Sequence, residues 1–192
     1  MDKQRLIVGI TGASGVIYGI RLLEVLRDRP EIETHLVMSK AAKLTIGYEL
    51  DMSVKEAEDL ADEVHNNTNI GATIASGSFK TMGMAVAPCS IKTLSGIVNA
   101  YDDTLLIRAA DVVLKEQRRL VIVPRETPLN RNHLDLMMRL VDSGGILVPP
   151  MPAYYHRPKT LDDIINHTVG KVLDMFGIEH KLFERWSGQP PK

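Results

Sequence analysis

Apolar residues fall into blocks along this chain, and their spacing changes from block to block. Leu6, Ile7, Val8 and Ile10 form a near-continuous apolar run, as expected of a parallel strand buried on both faces. Residues 16–26 then carry apolar side chains at helical spacing, with Arg21 and Glu24 left for solvent. The alternation repeats. Residues 33–38 predict a second strand, and Ser39 caps a helix of about ten residues ending near Glu49. Ser53-Val54-Lys55-Glu56 reads as a capping box opening a helix over 54–63, followed by a polar loop over 65–69. Residues 84–87 predict a short strand, Pro88-Cys89-Ser90 a turn, and residues 90–93 a helix start. Further on come a helix over 108–119, a strand over 120–123 and a helix over 134–141. The last strand, 146–148, is stopped by Pro149-Pro150. A long amphipathic helix spans 161–176, capped by Thr160 and closed by Gly177. Strands alternating with helices predict an α/β fold with a mostly parallel sheet.

Two of these strand–turn–helix units carry small or hydroxyl residues at the turn. The first reads Thr11-Gly12-Ala13-Ser14-Gly15. Glycine lets the backbone turn tightly and approach a ligand. A helix starting just beyond directs free N–H groups at whatever sits above the strand. The turn therefore predicts a seat for a nucleotide or flavin phosphate, with Ser14 adding a hydroxyl; a plain turn with small residues for packing is the alternative. Glycines at 9, 12 and 15 give GxxGxxG rather than GxGxxG, and the second strand ends in Ser39 rather than an acid that grips a ribose diol. The second unit places Ser90 at its helix start. Two such turns in one sheet would meet at its carboxyl edge.

Other candidates have plainer readings beside the chemical one. Arg125, between Pro124 and Pro128, can grip a phosphate bidentately or pair with Glu126 to hold the turn. Arg108, Asp111 and Lys115 share one face of their helix, as a surface ion ladder would. Glu49 reads as a solvated carboxylate at a helix end. Ser76-Gly77-Ser78 is a flexible loop able to cover a ligand. Cys89 has no histidine nearby in sequence and reads as a buried thiol.

Composition narrows the class. The 192 residues suit one α/β domain, expected over 1–186 with a mobile tail at 187–192. A net charge of −1 argues against nucleic acid. No apolar run reaches membrane length, the N-terminus lacks a signal pattern, and a single cysteine permits no internal disulfide. Together these predict a cytoplasmic protein. Six histidines lack metal-ligand spacing, so no metal centre is expected. Five of nine aromatics lie between Tyr154 and Trp186, which predicts an apolar surface or pocket wall there.

Several segments recur together: GITGASG, SKAAKLTIGYE, SGSFKTMGM, PCSIKTLSGI, RAADVVLKEQRRLVIVPRETPL, PPMPAYYHRP and VGKVLDMFGI. In that order they resemble the UbiX-type flavin prenyltransferases, including the small partner proteins of phenolic-acid decarboxylases. The resemblance covers nearly the whole chain. It implies a flavodoxin-like, Rossmann-like three-layer fold in a dodecamer of trimers. It implies transfer of a dimethylallyl group from dimethylallyl phosphate to N5 and C6 of reduced FMN, giving prenylated FMN for a UbiD-type decarboxylase, without a metal. Carried over by position, Gly12, Ala13, Ser14, Ser39, Ser90, Ile91, Lys92, Thr93 and Arg125 would contact FMN. Lys115, Arg125, Tyr155 and Lys171 would hold dimethylallyl phosphate, some members having arginine where this chain has Lys171. Glu49 and Glu126 would handle protons, with Ser14 in the relay, and Trp186 would help close the site. Two other readings remain: an FMN-dependent decarboxylase acting directly on a carboxylate, and a non-catalytic flavin-binding accessory protein.

Overall fold

A computed structural model describes residues 3–188. Six strands form one all-parallel sheet: β1 (Gln4–Ile10), β2 (Ile32–Met38), β3 (Glu63–His65), β4 (Gly83–Cys89), β5 (Arg119–Pro124) and β6 (Ile146–Leu147). Their spatial order is β3-β2-β1-β4-β5-β6. The chain runs outward from β1 to one edge, returns to β4, and runs outward to the other. The order therefore reverses between β1 and β4, where open parallel sheets bind ligands beyond the strands' carboxyl ends.

Period-two strand patterning splits the core between the two faces. Leu6, Val8 and Ile10 point into one layer with Ile20, Leu23 and Leu26 of α1 (Ile17–Arg27) and Val169, Val172 and Leu173 of α7 (Leu161–Phe176). α2 (Lys40–Glu49) and α3 (Val54–Glu58) contribute Ala42, Ile46 and Ala57 to that layer. Ile7, Met84 and Ile122 point into the other. There they meet α4 (Ile91–Val98), α5 (Leu105–Lys115) and α6 (Arg131–Asp142) through Leu94, Leu106 and Leu140. The result is the three-layer flavodoxin-like arrangement. No helix among the described residues is long and apolar enough to cross a membrane.

The expected caps form where the sequence placed them: Ser39, Ser53, Ser90 and Thr160 each accept a backbone N–H of their own first turn, and Gly177 closes α7 in the left-handed conformation. Three expectations are corrected. The helix expected over 54–63 stops at Glu58, and Glu63–His65 is an edge strand. Tertiary pairing overrides local pattern here: β3 hydrogen-bonds to β2, and the Asp62 carboxylate accepts both the Thr34 N–H and its hydroxyl (2.8 and 2.9 Å). The helix expected over 108–119 is shifted to Leu105–Lys115, because Gln117 takes a positive φ of 55° and Arg119 opens β5. The turn expected at Pro88 is still strand, β4 running on to Cys89 with a slip in register after Val86. Of the tail expected to be mobile, residues 189–192 lie outside the described residues.

The β3 edge carries a titrating chain. Arg5 Nε donates to Glu33 Oε1 (3.2 Å), and His35 Nε2 lies 2.8 Å from the same oxygen. With Nε2–H spent on Glu33, His35 Nδ1 is left to accept from His65 Nε2–H, 2.9 Å away. Burial, then the neighbouring His35, lowers the His65 pKa, with Glu63 opposing. A histidine held below its ordinary value near 6.5 stabilises the fold fully above that pH and loses the contribution as the pH falls through its folded value. Thermal melts between about pH 7.5 and about pH 5 are therefore expected to show falling stability, less steeply in His65→Gln, whose amide keeps the donor without titrating. Equal slopes would remove His65 from the effect.

Candidate active site

The turns after β1, β2, β4 and β5 converge at the carboxyl edge of the sheet. Thr11 joins two of them. Its hydroxyl donates to the Pro88 carbonyl (3.0 Å) and accepts the Ser90 N–H (2.7 Å). At the β2 end, Ser39 N–H donates to the Ile10 carbonyl, and its Oγ accepts the Ala42 N–H (both 3.0 Å). Gly12 is a close approach: a β-carbon there would stand 2.3 Å from that of Ala41 in the first turn of α2. Gly15 turns the chain with a φ of 97°, which other residues rarely adopt.

The start of α1 is already filled, which sequence alone did not reveal. Val16, its N-cap, offers no side-chain acceptor. The Glu49 carboxylate reaches across from the last residue of α2, and one oxygen accepts the N–H groups of Gly15 (2.8 Å) and Val16 (3.1 Å). An anion thus sits at the positive end of α1, but it belongs to the protein. The second turn is the open one. Ser90 Oγ contacts Thr93 N (3.3 Å) and Thr93 Oγ1 (3.2 Å), while the first-turn N–H groups of Ile91 and Lys92 have no acceptor within the helix. The first-turn N–H groups at α1 thus meet a protein carboxylate, whereas those of α4 do not.

Arg125 closes this edge. Its N–H donates to the Cys89 carbonyl and its Nε to the Ser14 carbonyl (both 3.2 Å). The alternative pair with Glu126 does not form; the exposed Glu126 accepts the Thr127 N–H instead (3.0 Å). Tyr18, which no sequence motif marks, links this edge to α7. Burial pushes its hydroxyl above the ordinary value, opposed by the Arg125 cation and a hydrogen bond with Thr168. Its only signal in sequence is an aromatic ring in the first turn of the helix that follows the glycine turn. Cys89 is fully buried, and burial pushes its thiol up strongly, as a structural cysteine requires.

Beyond Thr168 lies a cavity of about 290 Å³ between β6 and α7, lined by Val148, Met151, His167, Lys171 and their neighbours. Of the five aromatics expected to make a wall, Tyr155, Phe183 and Trp186 gather around His167 beside it, while Phe176 belongs to the core and Tyr154 is exposed. Tyr155 meets Trp186 edge-on at 5.9 Å, and its hydroxyl lies 3.3 Å from His167 Nε2. Asp174 anchors the segment carrying Trp186: it accepts from Arg185 (2.7 and 3.1 Å), contacts His180 Nε2 at 3.2 Å, and faces Lys171 at 3.6 Å. Burial alone would raise this carboxyl, but these partners hold it below the usual carboxylate range.

Lys115 is not brought to this edge. It pairs with Glu116 (2.8 Å) at the end of α5 and lies beside Gly77. Arg118 ties the same loop through the carbonyls of Gly77 (2.6 Å) and Phe79 (2.8 Å). All of these precede β5, whereas Arg125 follows it. Six residues of strand separate the two ends by about 20 Å. The 76–78 loop therefore does not cover this chain's own site. Arg108, expected in a ladder with Lys115, pairs with Asp111 (2.9 Å) and Asp102 (3.0 Å). Among the described residues no group of three or more His, Cys, Asp or Glu side chains stands where it could hold a metal ion.

Comparison with known proteins places the chain in a family. Residues 1–172 match the model of the Flavoprotein family. The flavin prenyltransferase UbiX of Escherichia coli K12 is 59% identical over 187 residues, spanning 96% of this chain and 99% of that one. The chain belongs to the UbiX family of flavoproteins. A dodecameric FMN-dependent UbiX-like decarboxylase from Escherichia coli O157:H7 superposes with a TM-score of 0.95 at 55% identity, covering 96% of this chain and all of that one. AnUbiX (PadA1), solved with FMN and dimethylallyl pyrophosphate, also gives 0.95, at 46% identity over 97% and 99% of the two chains.

Proposed function

We propose that this UbiX family member is a flavin prenyltransferase. It joins the dimethylallyl group of dimethylallyl phosphate to N5 and C6 of reduced FMN and releases inorganic phosphate. The product, prenylated FMN, serves a UbiD-type decarboxylase, and the reaction takes place in the cytoplasm. The observation that carries this reading is the Arg125–Ser14 bond, which fixes a cation over a sheet edge whose α4 turn offers free N–H groups and two hydroxyls. That donor set suits an anionic flavin, and a 46%-identical relative was solved with FMN and a dimethylallyl donor.

Reduced FMN, when bound, would supply an electron-rich N5 that replaces the allylic C–O bond and a C6 that adds across the allyl C=C bond, N5 and C6 each giving up a proton while the alkene takes one up. The chain's part is to bind, orient and exclude water. Ser90, Thr93 and the N–H groups of Ile91 and Lys92 would hold the flavin phosphate, with Gly12, Ala13, Ser14 and Ser39 along the flavin. Arg125 and Lys171 would stabilise the departing phosphate, and Tyr155 would donate a hydrogen bond to it. The wall of Tyr155 and Trp186 would keep water from the allylic cation. Glu49 would accept the proton lost at ring closure, with Ser14 beside it and Glu126 as a second acid near the rim.

Lys115 fits the same chemistry only when a second copy supplies it. We assign its contribution to the neighbouring protomer of a homo-oligomer, in keeping with the dodecameric relative. That relative's description as a decarboxylase keeps direct decarboxylation as the second reading.

Anaerobic incubation with reduced FMN and dimethylallyl phosphate separates the two readings. The released flavin is expected to gain the mass of one C5H8 unit. Unmodified flavin with either dimethylallyl phosphate or the pyrophosphate, together with CO2 release from a phenolic acid, would replace this reading with direct decarboxylation.

A further inference from the structure

The histidine behind Tyr155 has no part in the prenyl transfer proposed above. His167 lies on the buried side of α7, only 9% exposed, one turn before Lys171 and in the wall of the same cavity. Its ring is gripped on several sides. His156 stacks on it at 5.1 Å with planes 7° apart, Phe183 lies at 4.8 Å, and Tyr155 meets it edge-on at 5.9 Å. A ring packed this tightly has little freedom to turn, so the position of Nε2, 3.3 Å from the Tyr155 oxygen, is fixed. Tyr155 itself is 40% exposed at the end of a proline-rich loop and needs an anchor.

The sense of that hydrogen bond decides what Tyr155 can do. If the phenol donates to His167, its proton is spent inward and only lone pairs face the cavity, which would repel an anion. If His167 donates, the phenolic proton is free to turn outward. We propose that His167 is a positioning residue, donating Nε2–H to the Tyr155 oxygen so that the Tyr155 hydroxyl points its proton at an anionic leaving group held by Lys171. The inference rests on the prenyl-transfer reading and adds to it a residue and a tautomer. Burial, then His156 and Lys171, lowers the proton affinity of His167, in keeping with a neutral ring whose single N–H is committed to Tyr155.

The test is a double-mutant cycle on the full-length protein, using reduced FMN and varied dimethylallyl phosphate. His167→Phe keeps the ring and removes the donor; it is expected to lower kcat/KM about 3–10-fold, the worth of one neutral hydrogen bond. Tyr155→Phe should cost at least as much, and the double variant no more than Tyr155→Phe alone. His167→Gln, whose amide can still donate, should recover most of the loss. Should His167→Phe fail to fold, His167→Asn, too short to reach the phenol, takes its place in the cycle. Wild-type kinetics in His167→Phe or His167→Asn, or losses that multiply in the double variant, would overturn the proposal. Absence of C5H8 transfer by the wild-type protein would instead sink the prenyl-transfer reading beneath it.

Discussion

Glu49→Gln is expected to slow formation of the prenylated flavin by about 10²–10⁴-fold while leaving the fold almost as stable as before. The carboxylate has two tasks at one place. Its Oε2 accepts the N–H groups of Gly15 and Val16, filling the start of an α1 that has no cap of its own. In the proposed reaction it also takes a proton. A glutamine carbonyl can still accept both N–H groups, losing only the charge–dipole part, about 0.3–1 kcal/mol at an exposed site. It cannot act as a base. Glu49→Ala removes both functions and should add a stability loss of about 1 kcal/mol, typical of a lost cap. Thermal melts and anaerobic single-turnover rates on the two variants separate the roles. A Glu49→Gln protein with wild-type rate would reduce Glu49 to a cap for α1.

The second large effect comes from the separation of Lys115 and Arg125. Either Lys115→Ala or Arg125→Ala is expected to cut kcat/KM by about 10²–10³-fold, as removing one donor from a developing anion does. Arg125→Lys should recover only part, since lysine keeps the charge without the fork that lets Nε hold Ser14 while other N–H groups face a ligand. The telling experiment brings the two impaired variants together in one oligomer. If each site takes Arg125 from one copy and Lys115 from the next, random co-assembly leaves about a quarter of the sites complete. Co-expression should then restore about a quarter of wild-type activity, far above the roughly hundredth or less that either variant keeps alone. No recovery, with mixed oligomers demonstrated by mass, would place Lys115 outside the reaction.

Much of the fold was legible in sequence because its signals are local. The apolar run of β1, the small residues of the turn after it and the helical spacing of α1 all fall within about two dozen residues. The caps at Ser39, Ser53, Ser90 and Thr160 bond three residues ahead, so their spacing is written in the chain. The turn pattern went no further than a nucleotide or flavin phosphate, and the family resemblance supplied the choice of flavin and the donor.

What the sequence could not disclose were partnerships made across the chain. Glu63–His65 is a strand because β2 lies beside it and Asp62 pins Thr34; alone, the segment is polar and short. Glu49 caps a helix that begins 32 residues earlier, and His167 meets Tyr155 from the second turn of the next helix. Lys115 and Arg125, ten residues apart in sequence, stand at opposite ends of β5. The sequence by itself determined most of the segments that become strands and helices and where most helices begin, since these depend on patterns within a turn or two of chain. The tertiary structure decided which of two similar turns is met by a protein carboxylate and at which end of the sheet each cation stands. Those outcomes depend on strand order and crossover direction, which bring distant residues together and hold near neighbours a strand's length apart.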